Sequence, residues 1–222
     1  MSRILKMTTR PRIGLALSGG AARGIAHVGV LRALEENNIS IDAIAGASAG
    51  ALIGGAYAAG LSISELEAMA RRFRWRHTAR FSFSRLGLQS NARMEQFLRA
   101  RLPVTRFEDL KIPFAALVTD LGEGSCVVLR DTGDLTFAIR ASCCLPSLHV
   151  PVRDRDGRLL VDGGLVANLP IRLHARTRRR HRDRRGCRSR RRQVHGSSED
   201  SARCTHANLR SRRAYRFKSG AR

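Results

Sequence analysis

From residue 13 to about residue 171, short apolar runs alternate with helical repeats. Residues 13–17 form the first apolar run and end in Ser18-Gly19-Gly20, after which Ile25, Val28, Leu31 and Leu34 recur at three-residue spacing. That pattern predicts strand, glycine turn, helix. Asn37 and Asn38 end the helix, residues 39–45 read as a second buried strand, and Gly46-Ala47-Ser48-Ala49-Gly50 opens a helix rich in Ala and Gly. Further helices are predicted over 65–76 and over 93–102, the latter with Met94, Phe97 and Leu98 on one face. The stretch between them is irregular and aromatic-basic. Strands are predicted over 112–119 and 126–129, Asp134 caps a helix running to about Ser142, and residues 158–161 form a short strand entering Asp162-Gly163-Gly164. This alternation predicts a three-layer α/β/α domain, with helices on both faces of a mainly parallel central sheet.

The periodicity stops after Ile171, and composition changes with it. The chain has 222 residues, 43% of them hydrophobic, which suits one domain core. Its 41 basic and 18 acidic residues give a net charge of +23, but residues 172–222 alone carry 18 Arg and one Lys against three acidic residues. Such a segment buries too little apolar surface to order itself. The expected organisation is a leader over 1–11, a domain over 12–171 and a disordered Arg-rich tail over 172–222. A strong preference for Arg over Lys is what out-of-frame reading of a GC-rich gene produces. The tail from about Arg172 is therefore expected to be a frameshifted end. A nucleic-acid-binding or anionic-membrane-binding arm is the alternative, since blocks of Arg attract phosphates.

Five cysteines, with Cys143 and Cys144 adjacent, argue against a secreted disulfide framework. Residues 1–12 lack the apolar core of a signal peptide, and a cytoplasmic protein in peripheral contact with the inner membrane face is expected. Residues 41–61 are of membrane-spanning length, but Ala, Gly and Ser dominate them and Asp42 interrupts them. Arg72-Phe73-Arg74-Trp75-Arg76, followed by Phe81 and Phe83, fits either a lipid-surface segment or a helix end with solvated Arg residues. Oligomeric state is not encoded in any feature of the chain.

Among the candidate chemistry, Gly46-Ala47-Ser48-Ala49-Gly50 is a G-x-S-x-G between a predicted strand and a predicted helix, a context that projects the Ser48 hydroxyl from a sharp turn. The glycine turn Ser18-Gly19-Gly20-Ala21-Ala22-Arg23-Gly24 points backbone N–H groups at an anion, as an acyl-transfer oxyanion hole requires. Dinucleotide binding is the competing explanation, with Asp42 downstream, but G-x-G-x-x-G from Gly19 needs glycine where Ala21 stands. An α/β-hydrolase arrangement does not fit, because only 47 residues precede Ser48. His27, His149 and His174 lack a recognisable catalytic setting. Asp162, at a strand end and followed by Gly163 and Gly164, is the better base candidate. No cluster has zinc-like spacing; Cys187, Cys204 and His206 fall in the tail.

Three motifs occur in order: residues 17–24 (LSGGAARG), 46–50 (GASAG) and 161–170 (VDGGLVANLP). Together they resemble the patatin-like phospholipases over roughly residues 12–171. Val118-Thr119-Asp120 and Arg140-Ala-Ser-Cys-Cys-Leu-Pro146 agree with the same family. The resemblance implies a lipid acyl hydrolase acting on a lipid or ester substrate, with Ser48 as nucleophile and Asp162 as general base. It also implies an acyl-enzyme intermediate, no catalytic His and no metal or other cofactor. Gly19, Gly20 and Ala21, with Arg23 and Gly24 completing the motif, would form the oxyanion hole; Gly46, Gly50, Gly163 and Gly164 are the motif glycines. The family often has Gly where this chain has Ala21, and it continues past residue 170 with a helix and a further buried strand. The resemblance therefore implies that the C-terminal part of the domain is missing, and that an inactive, poorly folded product is the alternative.

Overall fold

The structure is a computed structural model that describes residues 10–72, 80–84 and 86–171. Most of the leader, the tail with His174, Cys187, Cys204 and His206, the Phe73 and Trp75 cluster, and the side chains of Phe81 and Phe83 lie outside the described residues.

In chain order the elements are β1 (Gly14–Leu17), a 3₁₀ turn (Ala21–Ile25), α1 (Ala26–Glu36), β2 (Ala43–Ala47), α2 (Ala49–Ala58), α3 (Ile63–Arg72), β3 (Arg80–Ser84), β4 (Gly87–Ser90) and α4 (Arg93–Arg99). They continue with β5 (Phe114–Asp120), β6 (Ser125–Arg130), α5 (Leu135–Ser142), β7 (Ser147–His149), β8 (Val152–Arg153), β9 (Leu159–Asp162) and α6 (Gly164–Ala167). β1, β2 and β5 are parallel neighbours, Ala16 opposite Ala45 and Gly46 opposite Ala116. β6 runs antiparallel along residues 115–120 of β5. The other edge of β5 is divided. Residues 44–47 of β2 pair with 114–117, and residues 160–162 of β9 pair with 118–120 in the antiparallel sense. The C-terminal ends of β2 and β9 therefore meet head-on at Leu117 and Val118.

On one face of the sheet Leu17, Ile44, Phe114 and Ala116 pack in a single cluster with Val28 and Leu31 of α1, Leu52 of α2, Leu66 of α3, Leu98 of α4 and Ile139 of α5. On the other, Ala167 of α6 covers Ala45, Ala47, Ala115 and Leu117. The fold is thus α/β with a mainly parallel centre; the strand pattern predicted β6 and β9 but not their antiparallel direction, and did not predict β8.

Several expected boundaries move for local reasons. Ile25 is 55% exposed: it ends the 3₁₀ turn that precedes α1 and lies off the stripe that Val28 and Leu31 define. β2 begins at Ala43 instead of residue 39, since the Asp42 carboxylate accepts from Ile13 N at 2.7 Å and from the Arg10 guanidinium. The Asp42 carboxylate is thus engaged within the chain. α3 starts at Ile63 behind a capping box in which Glu65 Oε2 accepts from Ser62 N at 2.8 Å and Ser62 Oγ at 2.7 Å. The irregular stretch contains β3 and β4, which join β7 in a separate three-stranded sheet. Residues 41–61 are β2 followed by a ten-residue helix, and no helix among the described residues is long and apolar enough to cross a membrane.

α2 approaches the sheet closely because its interface is made of Gly and Ala. A Cβ on Gly50 would lie 2.3 Å from the Leu17 carbonyl oxygen, backbone that cannot move aside, whereas a Cβ on Gly29 in α1 meets nothing within 4 Å. Gly50→Ala is expected to cost about 3 kcal/mol or more through overpacking. Gly29→Ala should add roughly 0.5–1 kcal/mol through helix propensity. Urea denaturation of both variants checks the opposite signs.

Candidate active site

Ser48 stands between the end of β2 and the start of α2 at φ 51° and ψ −121°, a left-handed backbone that L-residues adopt only under constraint. Gly46 and Gly50 permit the bend, since a Cβ on Gly46 would lie 2.4 Å from Gly50 O. The bend presents Ser48 Oγ to the end of β9, where it donates to Asp162 Oδ2 at 2.6 Å across 114 residues of sequence. The other carboxylate oxygen, Oδ1, accepts from Gly164 N at 2.7 Å. The Asp162 backbone is fixed as well: its N–H donates to Cys144 O at 2.8 Å and its carbonyl accepts from Thr119 Oγ1 at 2.9 Å. Ser48 is 6% and Asp162 4% exposed. They meet because β9 runs antiparallel, tip to tip with β2.

Burial raises the Asp162 pKa above its ordinary value of 3.8; the hydrogen bonds from Ser48 and Gly164 oppose that rise without cancelling it. The Cys143 and Cys144 thiols beside it are also pushed up by burial, Cys144 to about 11, so both are neutral at physiological pH.

Of the predicted loop residues, Gly20, Ala21 and Arg23 are exposed, whereas Gly24 is buried against Ala49. Gly19 lies against the nucleophile candidate, where a Cβ would be 3.1 Å from Ser48 Cβ and 2.6 Å from Asn168 Oδ1. Its N–H donates to Asn168 O at 3.2 Å and that of Arg23 to Gly20 O at 2.9 Å, so these two amides are engaged with protein carbonyls. Ala21 occupies φ 47°, a conformation that favours the glycine usual in the family. Gly163 packs directly over Leu117 O, and Gly164 supplies the amide to Asp162. His27 Nε2 is bonded to Ser18 O at 2.9 Å; buried His149 accepts at Nδ1 from Leu145 N at 3.2 Å, and burial lowers its pKa.

Sequence reasoning missed the support that α5 gives the bend. Ser142 Oγ accepts from Ser48 N at 2.9 Å and donates to Leu117 O at 2.6 Å, and the Cys143 thiol donates to Ser48 O at 3.2 Å. Only the agreement of residues 140–146 with the family pointed to them.

A family model for patatin-like phospholipases matches residues 15–174. The chain belongs to the patatin-like phospholipase family. Uncharacterized NTE family proteins of Mycobacterium tuberculosis and Mycobacterium bovis are 39% identical to it over 167 residues, 74% of this chain and 46% of theirs. Lysophospholipase NTE1 of Cryptococcus neoformans is 36% identical over 176 residues, 77% of this chain and 11% of its own. The patatin-like chain thus spans about half the length of the mycobacterial relatives. The crystal structure of VipD from Legionella pneumophila superposes with a TM-score of 0.60 at 16% identity, covering 72% of this chain and 47% of that one, a likeness of fold.

The raised pKa of Asp162 has a definite sign for stability. The folded protein binds this proton more readily than the unfolded chain, so ionised Asp162 costs stability at neutral pH, and the cost is relieved as pH falls through the raised pKa. Asp162→Asn is expected to melt at a higher temperature than the parent patatin-like chain at pH 7. The difference should close as pH approaches 3.8, and thermal scans across that range test it.

Proposed function

We propose that this patatin-like chain hydrolyses carboxylic esters of lipids by a serine mechanism. The observation that carries the proposal is the 2.6 Å hydrogen bond from Ser48 Oγ to Asp162 Oδ2 at a strained strand-to-helix bend. Ser48 Oγ attacks the ester carbonyl while Asp162 Oδ2 takes its proton, then returns it to the leaving alcohol; water cleaves the acyl-enzyme by the same route. Gly164 N holds the other carboxylate oxygen, so one oxygen faces the nucleophile. Because the Gly19 and Arg23 amides are engaged, the amides of Gly20 and Ala21 in the exposed loop are assigned to the oxyanion. The α6 side chains just beyond Asp162, Leu165 and Val166, are exposed and offer an apolar surface for an acyl chain. Family membership and the lysophospholipase named among the relatives support the lipid substrate class.

A fluorophosphonate probe is expected to label the parent protein and not Ser48→Ala. Asp162→Asn should lower turnover of a short-chain nitrophenyl ester by about 100- to 10,000-fold, the range for losing a general base. The base must be ionised, so kcat/KM falls on the acid side with an inflection above 3.8, opposite in direction to the stability effect. Salt-sensitive DNA binding without labelling would support the Arg-rich tail as the working part instead.

A further inference from the structure

We infer that Ser142 is a positioning residue for Ser48: its buried hydroxyl ties the strained Ser48 backbone to β5 and thereby aims Ser48 Oγ at Asp162. The inference rests on the hydrolase assignment and adds to it a third side chain that touches no substrate.

The sheet itself creates the need. The β2 ladder ends at Leu117 and the β9 ladder begins at Val118, so the Leu117 carbonyl lies at the seam between them. Ser142 Oγ donates to that carbonyl at 2.6 Å and accepts from Ser48 N at 2.9 Å. An amide can only donate, so Ser142 must accept there, and its single proton is committed to Leu117 O. Ser142 is 0% exposed, and water has no ready access to either partner. Ser48 at φ 51° would relax towards an ordinary conformation if released, swinging Oγ away from Asp162. The anchor is rigid, because the C-terminal end of α5 is itself held. Arg140 Nη1 donates to Glu95 Oε1 at 2.7 Å, Arg140 Nε to Asn91 Oδ1 at 2.9 Å, and Asn91 Nδ2 returns to Arg140 O at 3.0 Å. Cys143 holds Ser48 O through a thiol, a weaker donor, so the hydroxyl sets the position.

The test separates aim from stability. Thr136 is also fully buried on α5, and its hydroxyl donates to Asp134 Oδ1 at 2.7 Å, at the end of the helix remote from Ser48. Ser142→Ala is expected to lower kcat and the fluorophosphonate labelling rate by about 10- to 100-fold with KM unchanged, the effect of a small misplacement. Thr136→Ala, compared at equal folded fraction, should label at the parent rate. Ser142→Thr keeps the hydroxyl and recovers most of the rate, and Ser142→Cys, with a longer and weaker link, falls between Thr and Ala. Loosening the Ser48–Asp162 bond also removes an interaction that lowers the Asp162 pKa, so the acid limb of kcat/KM moves up in Ser142→Ala. The titratable groups beside Asp162, the Cys143 and Cys144 thiols, are neutral there and do not mask the shift. Parent-like labelling in Ser142→Ala, or rates without the Thr, Cys, Ala order, overturns the inference. If the parent chain itself does not label, the hydrolase assignment fails, and amide exchange at Ser48 decides the clamp: faster in Ser142→Ala than in Thr136→Ala supports it, equal rates refute it.

Discussion

One edge of one strand can be hydrogen-bonded only once, and the site follows from how β5 shares that edge. β6 occupies the whole of residues 115–120 on one side, so β2 and β9 divide the other at Leu117 and Val118. Because β2 runs with β5 and β9 against it, both chains arrive at the seam travelling towards each other. Neither can continue. β2 escapes through the Ser48 bend into α2, and β9 through Asp162-Gly163-Gly164 into α6. The 2.6 Å contact between Ser48, the first residue beyond β2, and Asp162, the last residue of β9, is a consequence of this backbone constraint more than its cause.

A seam of this kind is expensive to build, and the small residues around it show where the cost falls. Gly50 lies under the β1 carbonyls, Gly163 over the Leu117 carbonyl, and Gly19 against Ser48, each in space that a methyl group would fill. Glycine lowers the stability of elements that contain it. Ser48 adds backbone strain, and Asp162 adds a carboxylate in a buried place. The large cluster of Leu, Ile, Phe and Met on the helical face, away from the seam, offsets these terms. Such a division, an apolar half that stabilises and a strained half that is poised, is the usual relation between fold and reactive site.

The side chains at the seam were legible in the sequence because their chemistry is carried by local patterns: Ser48 by its flanking glycines and Asp162 by the two glycines after it. Strand direction was not, since residues 158–161 read identically as a parallel or an antiparallel strand, and only the pairing with residues 118–120 decides between them. Ser142 was invisible for a related reason. A serine at a helix end usually marks nothing, and its importance comes from two backbone groups, 94 and 25 residues away in sequence, that converge on its hydroxyl. Other misses were local and avoidable. Ser62 and Glu65 stand at capping-box spacing, which places the start of α3 at Ile63. Ile25, grouped with Val28 and Leu31 by its spacing, belongs to the 3₁₀ turn before α1 and is exposed. β3 and β4 escaped notice because polar residues interrupt their apolar ones, and the partner that completes their sheet, β7 beside β4, lies more than fifty positions downstream.

The electrostatics of Asp162 bear on why a carboxylate can stand where an imidazole is the more familiar partner of a serine. A base must be both oriented and basic. In a three-member arrangement a separate residue orients the imidazole, whereas here Gly164 N takes one carboxylate oxygen and the strand fixes the backbone, so orientation needs no further side chain. Basicity comes from desolvation, which raises the Asp162 pKa, yet each hydrogen bond that orients the carboxylate also lowers it. Orientation and basicity are therefore in direct competition at this group. The net upward shift means that burial outweighs two hydrogen bonds, and a third donor would move the balance towards a weaker base. The seam meets this limit by sending the neighbouring Ser142 hydroxyl to Leu117 O and Ser48 N instead of to the carboxylate. In the proposed mechanism Ser48 is held by its backbone and Asp162 by one oxygen, which leaves the other oxygen, raised in basicity by burial, to receive the proton.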